Sequence, residues 1–126
     1  MKNIMIVDDS SVVRKMIRIT LESSDCHIIE AADGIEALEA LSRGAPDLFI
    51  IDLNMPRLDG LSLVRRIRGE QHIAETPIIM LTTECQENDR RRGLEAGVSM
   101  YLEKPVSPTL LKYKVQSMLS GGEPQS

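Results

Sequence analysis

The sequence predicts an α/β fold, a doubly wound five-stranded parallel sheet with helices on both faces. Three observations predict it. Apolar runs of strand length alternate with segments of helical period, about five times along the chain. Several of those runs are apolar throughout instead of at every second residue, which suits strands covered on both sides. Polar residues recur where such runs stop, the edge at which open parallel sheets collect ligands.

Asn3 to Val7 reads as the first strand, ending abruptly in Asp8-Asp9. Ser10 or Ser11 can cap a helix carrying Val13, Met16, Ile17, Thr20 and Leu21 on one face. His27 to Glu30 is a short strand, and Gly34 to Ser42 a helix with Ile35, Leu38 and Leu41 inward, stopped by Gly44 and Pro46. Leu48 to Ile51 is the most apolar strand and ends in Asp52. After a turn through Met55-Pro56 and Asp59-Gly60, a helix over 61–68 presents Leu61, Val64 and Ile67. Pro77 opens the strand Ile78 to Leu81, which ends at Thr82 and Thr83. A polar helix follows from about Gln86 to Ala96, with Gly97 as its stop. Val98 to Leu102 is the last strand, before Lys104-Pro105, and Pro108 suits the first turn of a final helix to about Leu119. One domain over 1–119 and a flexible tail over 120–126 are expected.

Composition narrows the function. A chain of 126 residues can bury a core without staples, and Ile, Leu, Val, Met and Ala must build it, since aromatics are 2%. That scarcity and a net charge of -4 argue against a nucleic-acid partner, the Arg90-Arg91-Arg92 run notwithstanding. Cys26 and Cys85 fit neither a metal spacing nor a disulfide framework and read as reduced thiols. No secretory segment and no membrane-spanning apolar stretch is visible, so a cytoplasmic protein without a membrane partner is expected.

Asp8 and Asp9 end the first strand, Asp52 the third and Thr82 the fourth, while Lys104 follows the fifth. The fold would bring them to one pocket. Three carboxylates that close repel one another, and Lys104 offsets only about one charge, so a divalent cation is the natural remainder. Oxygen ligands point to magnesium or manganese. A carboxylate beside such an ion and a lysine can attack phosphorus, and Asp52, on the most buried strand, is the nucleophile candidate. Asp8 and Asp9 then serve the metal, while Lys104 and the Thr82 hydroxyl stabilise charge on the phosphoryl oxygens.

The runs I-V-D-D-S-S, I-I-D-L-N-M-P-R-L-D-G, P-I-I-M-L-T-T and A-G-V-S-M-Y-L-E-K-P, in this order, closely resemble the receiver domain of two-component response regulators. The resemblance covers the chain to about Leu119. It implies the flavodoxin-like, CheY-like strand order 2-1-3-4-5 and a phosphoryl group taken by Asp52 from a sensor histidine kinase. It further implies that Asp9, Asp52 and the backbone carbonyl of Asn54 ligate magnesium, with Asp8 acting largely through water. Thr82 and Tyr101 would form the switch, and the Lys104-Pro105 bond would be cis. Asn54 and Glu84 resemble the pattern of stand-alone chemotaxis regulators and would flank the water that hydrolyses the phosphoryl group, although Glu84 reads equally as a solvated side chain favoured at a helix start. A monomer is expected, with a phosphatase and a downstream target such as the flagellar motor switch as further partners. Lys112, Tyr113 and Lys114 could belong to the partner face or simply be solvated. The alternatives are the receiver of a longer regulator or a phosphorelay intermediate. An aspartate-nucleophile phosphohydrolase would carry a second acid where Asn54 stands. A flavin carrier would need a phosphate-cradling loop where this chain has Asp8-Asp9.

Overall fold

The computed structural model describes residues 2–22, 26–55, 57–83 and 87–120, with the backbone alone at 87–89. Strands and helices alternate in chain order: β1 (Lys2–Val7), α1 (Ser11–Glu22), β2 (Cys26–Ala31), α2 (Gly34–Leu41), β3 (Leu48–Asp52), α3 (Gly60–Arg68), β4 (Ile78–Thr82), α4 (Glu87–Ala96), β5 (Met100–Glu103) and α5 (Pro108–Leu119). The strands form one parallel sheet in the order β2-β1-β3-β4-β5. The chain thus winds outward in both directions from β1 and β3, and the switch in strand order lies between these two.

Every residue of β3 and β4 is buried, as a strand covered on both faces must be. Alternate side chains divide the core in two. Met5, Val7, Phe49, Ile51, Ile78 and Met80 meet Ala37 and Ala40 of α2 and Leu63, Val64 and Ile67 of α3. Ile4, Ile6, Leu48, Ile50, Ile79 and Leu81 meet Ile17 and Leu21 of α1 and Leu111, Val115 and Met118 of α5. With one phenylalanine among them, these cores are filled mainly by branched and flexible aliphatic chains.

Three expectations are corrected. Met16 and Ile35 are exposed, because α1 buries a narrow stripe through Ile17 and Leu21, and α2 buries the small residues Gly34, Ala37 and Ala40. A Cβ at Gly34 would fall 2.8 Å from a Leu58 methyl, so α2 sits too close for a larger inward residue. The last strand begins at Met100, not Val98, since Val98 still caps the end of α4 by donating its N–H to the Gly93 carbonyl at 2.9 Å. A short 3-10 turn at Gln71–Ile73, which carried no sequence signal, joins α3 to β4. No helix among the described residues is long and apolar enough to cross a membrane.

Candidate functional site

At the carboxyl end of β1, local hydrogen bonds fix Asp8. Its Oδ1 accepts the Ser10 N–H at 2.9 Å and its carbonyl accepts Arg14 Nη1 at 2.5 Å. The Ser10 hydroxyl oxygen in turn accepts the Val13 N–H at 3.2 Å, so the first helix starts directly after the two aspartates. On β3, Asp52 is the last residue, and Leu53 donates to the Leu81 carbonyl at 2.9 Å, continuing the ladder past the carboxylate. Helix α3 closes tightly on this point: a Cβ on Gly60 would lie 2.5 Å from the Asp52 carbonyl oxygen. Only glycine allows that approach.

Lys104 is carried in from β5. Its N–H donates to the Thr82 carbonyl at 2.7 Å, and the Lys104-Pro105 bond is cis. The ammonium reaches Asp8 Oδ2 at 2.9 Å and Asp52 Oδ1 at 3.2 Å. One oxygen from each of Asp8, Asp9 and Asp52 lies within 4.8 Å of the others. Asp8 and Asp52 are buried and Asp9 is exposed, so the cluster opens to solvent on one side.

The electrostatics follow from this crowding. Burial, then the charge of Asp8, push the Asp52 carboxyl above its ordinary value, against the opposing pull of Lys104 and an N–H from Asn54. Burial works to lower the Lys104 ammonium, but the hydrogen bonds and charges of Asp8 and Asp52 outweigh it and hold it above its usual value. One lysine does not neutralise three carboxylates. An all-oxygen donor set with excess negative charge and an open side fits a hard divalent cation.

Thr82 is buried at the end of β4, one residue beyond Leu81, which pairs with Asp52. Tyr101 pairs with Met80, so its side chain shares a sheet face with Thr82 and packs against the first core. Asn54 is exposed in the loop after β3, and Glu84 lies outside the described residues, as does Cys85. The structure therefore brings Asp8, Asp9, Asp52, Thr82 and Lys104 to one edge, with Tyr101 further down β5.

Sequence reasoning missed a second acidic position on the same edge. Asp33 caps α2, accepting the Glu36 N–H at 2.9 Å, while Glu36 reaches back to the Ala32 N–H at 3.0 Å. Its other oxygen accepts from Arg57 of the β3–α3 loop, with Nε at 3.0 Å. An aspartate three residues before a glutamate was the available signal; the arginine partner had none.

The model of the response regulator receiver domain family matches residues 4–116. Chemotaxis protein CheY1 of Helicobacter pylori is 40% identical over 118 residues, covering 92% of this chain and 95% of that protein. A probable transcriptional regulator, ycf27 of Porphyridium aerugineum, is 38% identical over 118 residues, but the chain spans only 48% of its length. Among solved structures, the receiver domain of sensor histidine kinase PA1611 from Pseudomonas aeruginosa superposes with a TM-score of 0.86 at 33% identity, over 94% of this chain and 98% of that one, and holds a magnesium ion in its active site cleft. Receiver domains are signalling modules that work with histidine kinases and are not classical enzymes. Sequence match, strand order and the acidic edge agree, and this chain belongs to the response regulator receiver domain family.

Proposed function

We propose that the chain accepts a phosphoryl group on Asp52 from a sensor histidine kinase, with magnesium held beside it, and so changes its affinity for a downstream protein. The observation that carries this is the Lys104 ammonium spanning Asp8 at 2.9 Å and Asp52 at 3.2 Å within a three-carboxylate cluster. An Asp52 oxygen attacks phosphorus, the bond from phosphorus to the donor's imidazole nitrogen breaks, and the imidazole keeps that electron pair. Lys104 then faces the phosphoryl oxygens, and the Thr82 hydroxyl donates to one of them. Asp9, Asp52 and the Asn54 carbonyl would hold magnesium, with Asp8 joined through water. When bound, the ion supplies positive charge to the phosphoryl oxygens.

Movement of Thr82 toward the phosphoryl group frees space on the sheet face it shares with Tyr101, and the ring turns toward it. The face made by α4, β5 and α5 then changes shape for its partner. Asn54 flanks the hydrolytic water, a role the family resemblance also gives to Glu84, with a phosphatase as the external route of removal. Near full-length similarity to a chemotaxis protein supports motility control, with the flagellar motor switch as target.

Acetyl phosphate and magnesium should add a single phosphoryl group, read by intact mass. Asp52→Asn should add none; uptake by that variant would overturn the assignment.

A further inference from the structure

Glycine inside a helix costs stability relative to alanine, so Gly93 in the middle of α4 needs a reason. Backbone conformation is not the reason, because the described glycines with positive φ are Gly44 and Gly97. Space is. A Cβ at Gly93 would fall 1.7 Å from the Tyr101 hydroxyl oxygen, 2.5 Å from its Cζ and 2.7 Å from a ring Cε. The tip of the ring thus fills the volume a side chain would take. Tyr101 stands opposite Met80, and Thr82 lies two residues further along the same face of β4. The ring is therefore held between buried Gly93 and the strand that ends in Thr82.

We propose that Gly93 is a positioning residue for the switch: the notch left by its missing side chain seats the Tyr101 ring against α4. This rests on the reading above, that Thr82 and Tyr101 carry the signal. The three nearest atoms a methyl in the notch would meet all belong to the far end of the Tyr101 side chain, which can rotate away, so Gly93→Ala turns the ring outward and leaves the chain folded. Asp52, Lys104 and the acidic cluster lie elsewhere, and phosphoryl uptake should persist.

The chain has two tyrosines and no tryptophan, and Tyr113 is 65% exposed. In a Tyr113→Phe background, tyrosine fluorescence reports Tyr101 alone. Acrylamide quenching should rise several-fold on adding Gly93→Ala; unchanged quenching would overturn the notch. Thermal stability of the four-member cycle Gly93→Ala against Tyr101→Ala gives a second reading. Alanine at 93 should raise Tm clearly more once the ring is removed than while it is present, and equal changes in both backgrounds would also overturn the proposal. Beryllofluoride with magnesium should shift the quenching of the Tyr113→Phe protein itself. If that shift is missing while Gly93→Ala still exposes the ring, the notch stands and the Thr82–Tyr101 reading falls.

Discussion

Asp33 and Asp52 stand on the same edge of the sheet and are almost equally buried, at 8% and 5% exposure, yet their environments pull in opposite directions. Asp33 receives the Glu36 N–H and then Arg57, and its carboxyl is held below the ordinary value. Asp52 is buried beside Asp8 and is pushed above it. The first carboxylate is satisfied by the chain itself and fixes a loop. The second keeps an unmet demand for positive charge, which a cation or a chemical change can answer. Surface exposure alone does not separate a structural aspartate from a reactive one; the depth of burial, set against the donors and neighbouring charges, does.

The sharpest way to break this contrast is to remove a member of the crowded cluster. Asp9→Ala should weaken magnesium binding by at least about tenfold, since even partners outside the metal's own ligands cost that much. Asp33→Asn should leave it nearly unchanged. Calorimetric titration of both variants checks this, and equal losses would show that the edge behaves as one diffuse acidic surface.

Stability should separate the two next. Without magnesium, Asp52→Asn removes a charge held against burial and against Asp8. A gain on the order of 1 kcal/mol, roughly 4 °C in Tm at this chain length, is expected. A carboxyl raised in the native state adds stability below its unfolded value near 3.8, and loses it as pH rises through the native value. Asp33, being lowered, adds stability above 3.8 and loses it as pH falls through its native value. At neutral pH Asp52→Asn should therefore exceed the parent and Asp33→Asn should fall short of it. Both differences should shrink as pH falls, that of Asp33 at lower pH than that of Asp52. Urea unfolding from about pH 3 to pH 7 reads the two signs.

The reactive half of the contrast was legible in the sequence, because it depends on strand ends. Asp8, Asp52 and Thr82 close apolar runs that could only be buried strands, and parallel order brings such ends together. What escaped depends on how closely a helix approaches a loop or a strand. Nothing in the run around Ile35 shows that Leu58 leaves room only for Gly34 beneath it, and nothing near Gly93 shows that a tyrosine eight residues later needs its space. The partner of Asp33 escaped for the same reason: Arg57 lies 24 residues away in a loop, with no periodicity to announce it.

Arg57 also offers the smallest and most discriminating test. Its φ of 67° lies in the left-handed region, which strains any residue with a Cβ. The pairing with Asp33 offsets that strain, although more than half of the Arg57 side chain is open to solvent, where ion pairs contribute little. Two substitutions separate the contributions. Arg57→Ala keeps the strain and loses the pair, so its Tm should fall below the parent's. Arg57→Gly also loses the pair but relieves the strain, so it should melt above Arg57→Ala and close to the parent. Adding salt should narrow the gap between parent and Arg57→Ala while leaving the gap between alanine and glycine intact, because screening acts on charge and not on backbone sterics. If alanine and glycine melt together, the loop is not held in that conformation in solution, and Asp33 is then satisfied by its helix cap alone.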